Sequence, residues 1–141
     1  MHVVLDTGIL LAALITSGTP PDLIYRAWRK KAFELITSKW QLEELRRVSR
    51  YPKLRKYLKP AEVGTLVNGL RRQATVLKEL PKVEFSPDSD DNPILATAIA
   101  GMAEYLVTGD KRDLLSLGKV ETVQIITARA FADRLGLATE D

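Results

Sequence analysis

The chain has no cysteine and a single histidine, His2, one residue from its start. Those two shortages remove several familiar chemistries at once. Without cysteine there is no disulfide framework, no thiolate zinc site and no cysteine nucleophile. One histidine beside the terminus excludes histidine-pair ribonuclease chemistry, a Ser-His-Asp triad and a multi-histidine zinc site. Long apolar runs are missing too. The N-terminal stretch is interrupted by Asp6 and lacks the basic start and small-residue cleavage site of a signal peptide, so a cytoplasmic protein without a membrane partner is expected. If the chain is an enzyme, carboxylates are expected to do the work.

What is present suits one modest domain. A length of 141 residues with 45% hydrophobic content closes a single core, expected over residues 1–137, with 138–141 as a flexible tail. The net charge of +3 and a pI near 9.2 are compatible with a nucleic-acid partner and equally with an ordinary surface.

Residues 2–5 form a short, continuously apolar run, the pattern of a parallel strand buried on both faces, and residues 105–108 repeat it. Helical spacing is expected over 9–15 and 22–31, with a strand over 33–37 between the second of these and the next helix. Ser38 and Gln41 have capping-box spacing and predict a helix over 39–50, which Pro52 stops. A further helix begins near Pro60. Residues 83–85 read as a short strand. Asp91 stands at the head of a nearly all-apolar helix with Pro93 in its first turn, which implies burial on most sides. Leu114, Leu115 and Leu117 mark a short helix, residues 123–126 a last strand, and Thr127 caps a last helix. Strands alternating with helices imply a three-layer α/β/α architecture around a central parallel sheet.

In such sheets ligands bind beyond the carboxyl ends of the strands, and two strands here run into an aspartate, Asp6 and Asp110. Asp91 opens the helix before the second of them and faces the same crevice if the crossover is right-handed. Asp113 follows Asp110 by three residues, close to one helical turn. At about 100° per residue, Leu42, Leu45 and Val48 define the apolar face of the 39–50 helix; Glu44 lies on its border and Glu43 nearly opposite. Thr7 and Thr108 add hydroxyls beside the strand ends. Carboxylates gathered this way repel one another unless a cation or raised pKa values relieve them. Oxygen-only ligands favour Mg²⁺ or Mn²⁺, and a phosphodiester is the natural substrate.

The segments Leu5-Asp6-Thr7-Gly8-Ile9-Leu10, Ser38 with Glu44-Leu45, Asp91-Asn92-Pro93-Ile94-Leu95-Ala96, and Tyr105-Leu106-Val107-Thr108-Gly109-Asp110 with Asp113-Leu114-Leu115 resemble the PIN-domain ribonucleases in order and spacing, over nearly the whole chain. The resemblance implies that Asp6, Glu44, Asp91, Asp110 and Asp113 bind Mg²⁺ or Mn²⁺ and that Asn92 orients the site. It further implies cleavage of single-stranded or structured RNA, commonly by the toxin of a toxin-antitoxin pair with an antitoxin protein as partner, and commonly as a homodimer. The chain departs from the family pattern at Gly8, where Asn or Ser is usual and helps order the site.

Taken singly, Asp91 and Asp110 are ordinary N-caps, Asp113 a favourable first-turn acid and Glu44 a surface residue; their combination favours a site. Asp88 and Asp90 read as solvated loop acids, and Trp28 and Trp40 as core or dimer residues rather than base platforms. Arg46, Arg47, Arg50 and Lys53, interleaved with Tyr51 and Tyr57, read as an RNA-backbone track or as a solvated helix face. Two other functions compete: an RNA-binding or assembly module whose site Gly8 has loosened, and a receiver-type domain phosphorylated on Asp6.

Overall fold

The computed structural model describes residues 1–109 and 112–137. In chain order the elements are β1 (His2–Leu5), α1 (Thr7–Ile15), α2 (Pro20–Arg29), β2 (Glu34–Ser38), α3 (Lys39–Ser49), α4 (Pro52–Arg55), α5 (Pro60–Gln73) and β3 (Thr75–Leu77). A 3₁₀ turn (Ser89–Asp91) then leads into α6 (Asn92–Ala100), β4 (Tyr105–Thr108), α7 (Arg112–Leu115), β5 (Lys119–Val120), β6 (Val123–Thr127) and α8 (Ala128–Arg134). Lys111 and the expected tail at 138–141 lie outside the described residues, as does Asp110.

The six strands form one sheet in the order β3-β2-β1-β4-β6-β5. All neighbours pair in parallel except β5, which runs antiparallel to β6. The inner strands β1, β2 and β4 are buried on both faces because their side chains alternate between two cores. Val3, Leu5, Leu35 and Val107 pack on one side with residues of α1, α2, α3, α5 and α8. Val4, Ile36, Leu106 and Ile125 pack on the other with Ile94, Leu95 and Ala98 of α6 and Leu114 of α7. Full burial of each such Leu or Ile is worth about 1.5–3 kcal/mol, so a one-residue slip of β1 or β4 would exchange both layers at once. Among the described residues no single helix is long and apolar enough to cross a membrane.

Several details differ from the expectations above. Ser38 Oγ accepts from the Gln41 backbone N–H at 3.2 Å, as half of a capping box. The return bond is not made. Gln41 is fully buried and spends its amide elsewhere: Nε2 donates to the Leu5 carbonyl at 2.7 Å and Oε1 accepts from Thr37 Oγ1 at 2.6 Å. It thereby ties the first turn of α3 to the carboxyl ends of β1 and β2. Residues 83–85 form no strand; the N–H groups of Phe85 and Ser86 donate instead to Asn92 Oδ1, at 3.1 and 3.0 Å. Pro52 starts the one-turn helix α4 as well as ending α3. Where α6 ends, Gly101 lies so close to β2 that a Cβ would stand 2.4 Å from Ile36 Cγ2.

Candidate functional site

Strand order reverses at β1, which pairs with β2 on one side and β4 on the other, so the carboxyl ends of β1 and β4 are where the topology opens a crevice. Asp6 ends β1 there. Its backbone N–H donates to the Val107 carbonyl at 2.9 Å, its Oδ1 caps α1 by accepting from the Ile9 N–H at 2.9 Å, and its Oδ2 accepts from Thr108 Oγ1 at the end of β4. The carboxylate is 2% exposed. Two donors fixed to separate elements thus hold a buried anion in one orientation.

The next residue carries the connection outward, since Thr7 Oγ1 donates to Glu44 Oε1. Glu44 also faces Arg47, 3.6 Å away, and Arg47 donates to the Tyr51 hydroxyl at 3.1 Å. Positions 40, 44, 47, 48 and 51 recur at helical spacing and form one wall of a cleft of about 570 Å³. Glu43 is exposed on the other side of α3.

The opposite wall comes from the turn before α6 and from α7. Asp91 is buried and occupies the N-cap position of α6, yet its side chain makes no capping bond; Oδ2 accepts from Ser86 Oγ at 3.3 Å instead. Asp88, Asp91 and Asp113 each present an oxygen within 4.8 Å of the others. Glu44, Asp88, Asp90, Asp91 and Asp113 line the cleft against two cations, Arg47 and Arg112. The donors are all hard oxygens. Two oxygens on one Mg²⁺, at about 2.1 Å each, stand at most about 4.2 Å apart, so contraction by some tenths of an ångström would let the three acids share an ion. The residues fit a hard divalent cation.

Of the acids expected from the sequence, Glu44, Asp91 and Asp113 meet in this cleft. Asp6 is not one of its walls but is joined to it through Thr7. Asp110 falls outside the described residues. Thr7 and Thr108 hold carboxylates, whereas Asn92 is occupied with the 85–86 turn. The basic segment divides: Arg47 reaches the cleft, Arg46 and Arg50 line a separate hollow of about 610 Å³ with Arg55, and Lys53 is exposed on α4.

Two participants escaped the sequence reading. Asp88 stands three residues before Asp91, and a 3₁₀ turn of three residues eclipses those positions. Arg112 carried no signal, being one charge in a polar stretch. A family model described as PIN domain matches residues 2–112. No curated protein matches the chain. The matched span runs from β1 to the first residue of α7 and includes every acid of the cleft except Asp113.

Proposed function

The chain belongs to the PIN-domain family, a family of nuclease type, and on that premise we propose that it is an Mg²⁺- or Mn²⁺-dependent endonuclease acting on single-stranded RNA. The observation that carries this reading is the meeting of Glu44, Asp91 and Asp113, with Asp88, in one cleft at the topological opening of a parallel sheet.

Asp88, Asp91 and Asp113 would hold the metal, with Glu44 lining the same cleft, Asp6 joined to it through Thr7, and Asp110 as a further ligand from the family pattern. A divalent ion bound there screens the negative charge of a phosphodiester and makes a neighbouring water acidic enough to attack near neutral pH. The chain's own groups do the positioning. Thr108 and the Ile9 N–H fix Asp6, Thr7 fixes Glu44, and Arg47, steadied by Tyr51, offers a guanidinium to a phosphate oxygen at the cleft edge. In-line attack by water breaks the bond from phosphorus to the 3′ oxygen and leaves 3′-hydroxyl and 5′-phosphate ends. Cyclic phosphates form by attack of the 2′-hydroxyl, which histidine pairs promote; the one histidine here sits at the opening of β1 and pairs with Glu34.

Gly8 does not weaken the reading. Asp6 is held by the Ile9 N–H and the Thr108 hydroxyl, bonds that need no side chain at position 8. In a cell the proposed role is that of the toxin of a toxin-antitoxin pair, for which expression should arrest growth with the native chain and not with Asp91→Asn. The primary test is cleavage of labelled single-stranded RNA with Mg²⁺, Mn²⁺ or EDTA, beside Asp6→Asn and Asp91→Asn variants. Metal-dependent cutting lost in both variants supports the proposal. Failure of the folded native chain to cut with either metal, or recovery of cyclic phosphate ends, counts against it.

A further inference from the structure

On the far side of Trp40 from the acidic cleft lies a second hollow of about 690 Å³. The two share three wall residues, Trp40, Ser89 and Pro93, so they are neighbouring compartments of one groove. Their chemistry is opposite. The first is lined by five carboxylates; the second has Leu80, Pro81 and Val83 among its walls, with Lys78, Lys82 and Glu84 as its charges. Asn92, itself a wall residue, anchors the end of the loop that forms the second wall by accepting from the Phe85 and Ser86 N–H groups.

A single strand of RNA alternates an anionic phosphate with a flat, largely apolar base, and its bases are recognised by stacking on aromatic rings. A metal-holding compartment beside an apolar one edged by lysines, with an indole on the partition, matches that alternation. We infer that Trp40 is a base platform: the nucleotide next to the scissile phosphate stacks its base on the indole in the second hollow, and Lys78 and Lys82 take the following phosphate. Glu84 supplies an acceptor for an exocyclic amine. This rests on the nuclease reading above and adds the residue that positions its substrate. The indole has a structural duty as well, since Trp40 is half-buried and packs against the α6 side of the sheet. The test must separate the two duties.

The chain's composition supplies the probe. It has two tryptophans, and Trp28 is 2% exposed in the core, so a change in tryptophan emission on adding RNA reports Trp40. Short oligo(U) and oligo(A) are titrated in EDTA, where no cutting occurs, against the native chain, Trp40→Phe and Trp40→Leu, with thermal melts to establish that each variant is folded. Stacking of one base predicts that Trp40→Leu binds about 5- to 150-fold more weakly, that Trp40→Phe recovers part of the loss, and that in a separate cleavage assay with Mn²⁺ the effect appears in KM rather than in kcat. An oligonucleotide with one abasic ribose beside the cut position should lose as much affinity for the native chain and nothing further for Trp40→Leu.

Unchanged emission on RNA binding, or equal affinity of native chain and Trp40→Leu, overturns the platform. The two readings fail separately. Cutting that persists with an unaltered KM in Trp40→Leu sinks the platform and leaves the nuclease. Abasic-sensitive quenching without cutting under any metal sinks the nuclease and leaves the platform. No RNA binding at all, in EDTA or with Mn²⁺, removes both.

Discussion

Asp88→Asn should raise the stability of the metal-free protein and lower that of the metal-loaded one. Asp88, Asp91 and Asp113 present oxygens within 4.8 Å of one another, and at water's dielectric each pair of unit charges at that distance repels by about 0.9 kcal/mol. Removing one charge relieves two pairs. Screening at physiological salt, with a Debye length of about 8 Å, reduces the relief to about 1 kcal/mol; Arg47 and Arg112 in the same walls lower that figure and the burial of Asp91 raises it. The turn itself survives, because the carboxamide oxygen can still accept from the Asp90 N–H, as Asp88 Oδ1 does at 3.0 Å. In EDTA the melting temperature should therefore rise by about 2–4 °C. With Mn²⁺ at a hundred times its dissociation constant, the native chain gains about 2.7 kcal/mol, and a variant that binds tenfold more weakly forgoes about 1.4 kcal/mol of it. The two melting curves should consequently change order between EDTA and Mn²⁺. A variant that melts lower in EDTA, or that keeps the whole Mn²⁺ increment, would refute the account of Asp88 as a repelled ligand.

Thr108→Val leaves the buried Asp6 carboxylate without one of its donors and should cost about 1.5–3 kcal/mol in urea unfolding while weakening cleavage; Thr108→Ser should restore most of both. At Gly8 a Cβ would meet Asp6 Oδ1 at 3.4 Å, an ordinary contact, so Gly8→Ser should fold as stably as the native chain and cut at least as fast, checked by melting and by kcat. Burial raises the pKa of Asp22, but the hydrogen bonds from Arg26 and from the Gly18 N–H outweigh it and hold the carboxyl below its usual 3.8. With the folded value below the unfolded one, the stabilisation is present above about pH 4 and disappears as pH falls through the folded pKa. Urea midpoints measured down an acid series should fall less steeply for Asp22→Asn than for the native chain.

The architecture was legible where local pattern and tertiary role coincide. The runs at 2–5 and 105–108 read as two-faced strands because both cores need their side chains, and Ser38 and Thr127 announced their helices because the caps are local. What depends on distant partners was not legible. Residues 75–77 become a strand only because β2 offers an edge, and residues 119–120 only because β6 does. Residues 83–85 have strand composition, but Asn92 takes the N–H groups of Phe85 and Ser86. The site shows the same division. The position of Asp91 in the cleft followed from topology, that of Asp113 from its spacing after Asp110 and that of Glu44 from helix angle, whereas Asp88 needed the 3₁₀ turn and Trp40 needed the two hollows it lines.

The short outer strands bear on how copies of this chain can meet. An exposed strand edge is a template for pairing with another molecule, and here the sheet offers three residues at β3 on one side and two at β5 on the other. Joining two sheets through either edge would form only a few ladder bonds, too few to order two molecules against each other. Among the described residues the sheet thus has too little exposed edge to pair with a second sheet, and prolines placed in β3 or β5 should leave the oligomeric state, read by light scattering, unchanged.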